Sequence, residues 1–171
     1  MANEKNVMRQ IRIEKVTLNA GCGDDPQRIE KSKKLFEMLT DQEIVTTRSK
    51  KRSKFGVPKG KPLGVTVTLR NEKAEELLKQ VFLAAGNKMK DSNIDKQGNF
   101  SIGVKEYIDL PNVQYQHEIG MLGFDVSVTL ERPGFHIKKR RIEKRKIGKG
   151  HKINKEETIN WLKERFGVQV E

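Results

Sequence analysis

Gly21 and Gly23 flank Cys22 between a strand-like and a helix-like stretch, where a dinucleotide-binding loop would sit. That loop needs a third glycine, and Asp24-Asp25 would repel a pyrophosphate where the loop should cradle one. Gly56 to Gly60-Lys61 imitates a phosphate loop, but its spacing is one residue short. Pro62 also stands where a magnesium-holding hydroxyl belongs. His117, His136 and His151 have no carboxylate or cysteine at ligand spacing, so no metal site is expected. The lone Cys22 reads as packing rather than as a nucleophile, and one cysteine excludes a disulfide framework. No catalytic residue, metal or cofactor is assigned.

The chemistry that remains is ionic. Residues 47–61 hold seven basic side chains and no acid, and residues 132–155 hold eleven against Glu143 alone. Together they carry +17 against a whole-chain charge of +12, so the other residues sum to −5. One basic run is ordinarily a solvated face, but two runs exceeding the net charge point to a polyanion. Both contain glycine and proline (Gly56, Pro58, Gly60, Pro62; Pro133, Gly134, Gly148, Gly150) and read as loops. Packed like charges in loops repel until phosphates neutralise them, so both are expected to contact nucleic acid. The arm over about 137–152 is expected to be mobile without RNA, with little apolar surface to tether it. Neither run is amphipathic with bulky apolar residues, so no membrane partner is expected. Met1-Ala2-Asn3-Glu4-Lys5 has no apolar stretch behind it, which predicts a soluble intracellular protein.

The 171 residues suffice for one domain that positions these loops. Val16, Leu18 and Ala20 alternate with Lys15, Thr17 and Asn19 as a half-buried strand. Asp25-Pro26 opens a helix to about Leu39, and a short strand near Ile44–Arg48 leads into the first basic loop. Strands follow around Val65–Leu69, Phe100–Val104 and Phe124–Leu130. The clearest helix begins at a predicted Asn71 cap, carries Ala74, Leu77, Leu78, Val81 and Phe82, and stops at Gly86. Asn154 and Glu157 open a last helix by a capping box, over about 155–166. Strict alternation leaves one wet sheet face, so the fold class is α+β, with an antiparallel or mixed sheet and helices on one face. That wet face is rich in Thr, Ser and Asn (Thr17, Asn19, Thr66, Thr68, Ser101, Thr129), which suits ribose hydroxyls and phosphates and equally suits a strand.

The order of several fragments resembles an archaeal member of family five of the large-subunit ribosomal proteins. They are Met8-Arg9, Leu18-Asn19-Ala20-Gly21-Cys22-Gly23, Thr47-Arg48-Ser49-Lys50-Lys51, Phe55-Gly56 and Val67-Thr68-Leu69-Arg70. Gly98-Asn99-Phe100-Ser101-Ile102-Gly103, Ile119-Gly120-Met121, Arg132-Pro133-Gly134 and Gly150-His151-Lys152 continue the match over essentially the whole chain. The resemblance implies a structural, non-catalytic protein of the cytoplasmic large subunit that binds 5S rRNA in the central protuberance. It implies 5S rRNA contacts at Asn19, Gln42, Phe55 and Thr68, to which Met8, Arg9, Arg48 and Arg70 are joined from the same motifs. The loop carrying Lys50, Lys51, Arg52, Lys54, Gly56, Lys59 and Lys61 would face P-site tRNA. The arm residues Lys138, Lys139, Arg140, Arg141, Lys144, Arg145, His151 and Lys152 would meet further large-subunit rRNA. Small-subunit protein thirteen and neighbouring 5S-rRNA-binding proteins complete the implied partners. The alternative from another class is a nucleic-acid-processing enzyme that uses the basic loops as a substrate grip.

Overall fold

The structure, a computed structural model, describes residues 6–52, 56–111 and 113–171. Five strands build the main sheet: β1 (Arg12–Gly21), β2 (Val45–Arg48), β3 (Pro62–Leu69), β5 (Phe100–Val104) and β6 (Phe124–Glu131). Their order is β2-β3-β1-β6-β5, with every neighbouring pair antiparallel. β1 lies at the centre, where Val16 and Leu18 are fully buried between Leu69 and Val67 on β3 and Val128 and Val126 on β6. The alternation predicted from sequence is therefore a true two-faced sheet, and the α+β class holds.

One face is covered. Helix α1 (Pro26–Leu39) packs on β3 and helix α2 (Asn71–Ala84) on β1 and β5. The Gln27 backbone N–H donates to Asp25 Oδ1 at 2.9 Å, with Pro26 in the first turn, as the sequence predicts. The Asn71 cap is not formed. Arg70 takes the cap position, while Asn71 is the first helical residue, at φ 57° and without a capping bond. β3 runs straight into α2, and the chain reverses through a left-handed residue that asparagine tolerates better than most. The helix closes at Ala85, one residue before Gly86.

Helix α4 (Lys155–Phe166) follows a four-residue helix α3 (His136–Lys139) and shows the predicted capping box between Asn154 and Glu157. It ends where Gly167 turns left-handed at φ 66°. Phe166 packs against Phe82 at 5.2 Å and Trp161 at 5.5 Å, joining α4 to α2. A two-residue parallel ladder, β4 (Lys88–Met89) with β7 (Gln169–Val170), ties the last residues to the exit of α2. Segments that short carry no periodicity, so nothing in the sequence pattern announces them. No helix among the described residues is long and apolar enough to cross a membrane.

Candidate nucleic-acid interface

The face turned away from the helices is a nearly uncharged hydrogen-bonding surface. Register places Thr68, Thr17, Ser127 and Ser101 in one row across four strands. Thr66, Asn19, Asp125 and Gly103 form the next, with Val45 at its β2 end. Asn19, Thr68, Ser101, Asp125 and Ser127 are exposed. Thr66 is not free, since its hydroxyl donates to the Leu18 carbonyl at 2.8 Å. Polar side chains without charge can exchange water for ribose and phosphate oxygens at little desolvation cost compared with ions.

Three expected contact residues meet at one corner of this face. Gln42, Thr68 and Arg70 line an open groove of about 850 Å³ together with Lys15, Asn71, Glu72 and Lys73. Arg70 is steadied by donation from Nη1 to the Glu14 carbonyl at 3.3 Å. Lys15 is absent from the sequence-based set, although alternation already placed it on the wet face. Asn19 lies on the same face, opposite Thr66 and further toward the hairpin. Arg48 sits at the hairpin base, opposite Pro62 beyond a bulge. Met8 and Arg9 are elsewhere: they form an exposed turn before β1, and Met8 lies near the Pro133-Gly134 turn. The expected set is thus spread over the face and two of its ends. Phe55 and Lys54 lie outside the described residues.

The two basic segments leave opposite ends of the sheet. The β2–β3 hairpin starts beyond the Gly21–Gly64 pair, whereas the arm starts beyond the Arg12–Glu131 pair at the other end of β1. Ten extended residues separate them, roughly 30 Å at about 3.3 Å each. In the hairpin, Ser49 and Lys61 continue the pairing, with Ser49 N–H donating to the Lys61 carbonyl at 2.9 Å. Lys50, Lys51, Arg52, Gly56 and Lys59 are exposed, and Gly56 stands at φ 82°. Lys61 differs from them, because its ammonium pairs with Asp24.

Both ends of the arm are anchored, by contacts that the charge count does not announce. Arg132, only 4% exposed, donates from Nη2 to Glu157 Oε1 at 2.8 Å and from Nη1 to the carbonyls of Lys152 and His151 at 3.2 and 3.4 Å. His151 Nε2 lies 2.9 Å from the Pro133 carbonyl, and its ring meets Phe135 edge-on at 5.7 Å. Ile153 is buried in the core. These links clamp both ends of the arm, and the charge count alone conceals them. Lys139 is likewise committed, to Glu14 at 2.6 Å and Glu131 at 2.8 Å. Burial works against its charge, yet the two carboxylates hold its pKa above the ordinary lysine value. Arg140 donates to the Glu143 carbonyl at 2.8 Å. Lys138, Arg141, Lys144, Arg145 and Lys152 are exposed, as are Lys146 and Lys149. The last two were missed by sequence reasoning, though they belong to the same basic run.

Comparison with known proteins accounts for both halves of this arrangement. Residues 6–57 match the family model described as ribosomal protein L5, and residues 62–161 match the C-terminal model of the same ribosomal family. The chain belongs to the ribosomal protein L5 family. Large ribosomal subunit protein uL5 of Nanoarchaeum equitans is 45% identical over 165 residues, covering 95% of this chain and 97% of the relative. The protein of the same name from Methanosphaera stadtmanae is 41% identical over 97% of this chain and 99% of its own. That from Sulfurisphaera tokodaii is 44% identical over 96% and 94%.

Family membership sets aside the enzyme alternative, since the relatives are structural ribosomal proteins. It also makes sense of the boundary between the two matched regions. They meet at the hairpin, between residues 57 and 62, and β1 of the first region pairs with β3 and β6 of the second. Neither region of this ribosomal family makes the open face alone.

Proposed function

We propose that this chain, acting as one domain over residues 1–171, is a structural protein of the cytoplasmic large ribosomal subunit that binds 5S rRNA in the central protuberance. The RNA lies across the open face and its corner groove, contacting Asn19, Gln42, Thr68 and Arg70, with Arg48, Met8 and Arg9 at the margins; Phe55 is a further proposed 5S rRNA contact. Lys50, Lys51, Arg52, Lys54, Gly56, Lys59 and Lys61 serve P-site tRNA, and the arm grips large-subunit rRNA through Lys138, Arg141, Lys144, Arg145 and Lys152. Lys139, Arg140 and His151 contribute there by shaping the arm. Small-subunit protein thirteen and neighbouring 5S-rRNA-binding proteins are the protein partners.

The observation that supports this reading is the division of charge: a mostly neutral hydrogen-bonding face, with Asp125 the one charge in its two central rows, lies between two cationic clusters at opposite ends of β1. Cations attract the backbone from a distance and neutral donors fix its register, a combination suited to a folded RNA. A chemical footprint of 5S rRNA with and without the protein tests it. Protection of a continuous RNA surface, without cleavage, is expected; unchanged reactivity throughout would contradict it.

A further inference from the structure

The arm and the end of the sheet border a half-open cavity of about 900 Å³. That is within the roughly 300–1,000 Å³ of ordinary small-ligand sites. Its wall carries Lys138, Lys144, Arg145, Lys146, Lys149 and Lys152, none paired with a carboxylate among the described residues. The one carboxylate in the wall, Glu14, is paired with Lys139, which it shares with Glu131. Six unpaired cations around one space repel each other until an anion enters.

A patch meant only for phosphate would be polar throughout, and this cavity is not. Phe135 and Ile147, both half-buried, and the buried Ile153 give it an apolar floor. The amides Gln97 and Asn99 also line it. Asn99 Oδ1 accepts from the Leu130 backbone N–H at 3.3 Å, which turns its NH₂ group into the available end, a donor. Cations for phosphate, an apolar floor with one aromatic ring, and an amide for a base edge are the parts that bind an unstacked nucleotide. Carboxylate side chains would satisfy the cations but would leave Phe135, Ile147 and Ile153 uncovered.

We propose that this cavity receives a single unstacked nucleotide of the large-subunit rRNA, with its base against Phe135 and Ile147 and its phosphates among the arm lysines. The proposal rests on the rRNA reading of the arm and adds a base-binding function to what is otherwise a backbone grip. The test is titration of the full chain at low salt with adenosine 5′-monophosphate, ribose 5-phosphate, inorganic phosphate and a short polyglutamate peptide, following the methyl NMR signals of Ile147 and Ile153. Adenosine monophosphate should shift both methyls and bind about tenfold more tightly than ribose 5-phosphate, the gain expected of one base contact. Ile147→Ser should abolish that preference while leaving inorganic phosphate affinity and 5S rRNA affinity unchanged, which also shows that the variant folds. Equal affinity for the nucleotide and ribose phosphate, tighter binding of polyglutamate, or a preference that survives Ile147→Ser would each overturn the proposal. Loss of 5S rRNA binding by the wild-type chain would instead refute the sheet-face reading, and the nucleotide titration would still decide this one.

Discussion

The Arg132 guanidinium is buried where β6 ends, with Glu157 and two arm carbonyls as its partners. Removing one member of such a pair leaves the other half-desolvated, so Arg132→Ala should lower stability by about 3 kcal/mol in urea unfolding and speed amide exchange across the arm. Glu157 reports on the same contact through pH. Burial disfavours its charge, but the Asn154 backbone N–H and the Arg132 hydrogen bond and charge outweigh it and hold its pKa below the ordinary 4.5. A lowered carboxylate pKa stabilises the fold above the unfolded value, and that contribution is lost as pH falls through the folded value. Wild type should therefore exceed Glu157→Gln in unfolding midpoint at neutral pH, and the gap should close as pH drops below 4.5. A gap independent of pH would contradict the ionic anchor.

The β2–β3 hairpin depends on one close approach. A Cβ on Gly64 would stand 2.5 Å from the Ala20 carbonyl oxygen and 3.2 Å from Thr47 Oγ1, and the first of these is backbone that cannot step aside. Gly64→Ala should cost about 1–3 kcal/mol, read by urea unfolding, with the fastest-exchanging amides in β2. The charges at the hairpin tip should behave differently. Lys50, Lys51 and Arg52 are exposed, and replacing all three with alanine should leave stability and 5S rRNA affinity within about 1 kcal/mol of wild type. Ribosomes carrying the triple variant should assemble but retain P-site tRNA less well in filter binding. A variant that fails to bind isolated 5S rRNA, on ribosomes that retain tRNA normally, would invert the assignment. The elements themselves were legible where the chain states its pattern over several residues. Val16, Leu18 and Ala20 name β1, and Asn154 with Glu157 names the start of α4. Asn71 misled because a residue fit to cap a helix is also fit for the left-handed turn before one. β4 and β7 went unseen because two residues have no period.

At the scale of the molecule, the sequence shows how much charge each segment carries and not where the segments lie. Separation of the basic runs to opposite ends of β1 follows from strand direction, which only the sheet order reveals. The face between them was half legible: alternation put Thr17, Asn19, Thr66, Thr68, Ser101 and Thr129 on the wet side of their strands, but not which of them are neighbours across strands. The clamp on the arm was hidden, because Arg132 looks in the sequence like one more cation of the basic run.

The central claim is that neutral hydrogen-bonding residues of the open face, and not the charges alone, hold 5S rRNA. It predicts two separable quantities in a salt titration of binding. With about four to six phosphates neutralised, log K against log[salt] should slope at roughly −3 to −5. Asn19→Ala combined with Thr68→Ala removes no charge, so the slope should stay as it is. The affinity should nevertheless fall at every salt concentration, by about 1–3 kcal/mol, because RNA groups are left desolvated without partners. Wild-type affinity in the double variant across the whole salt range would contradict the account and leave the basic segments as the entire binding surface.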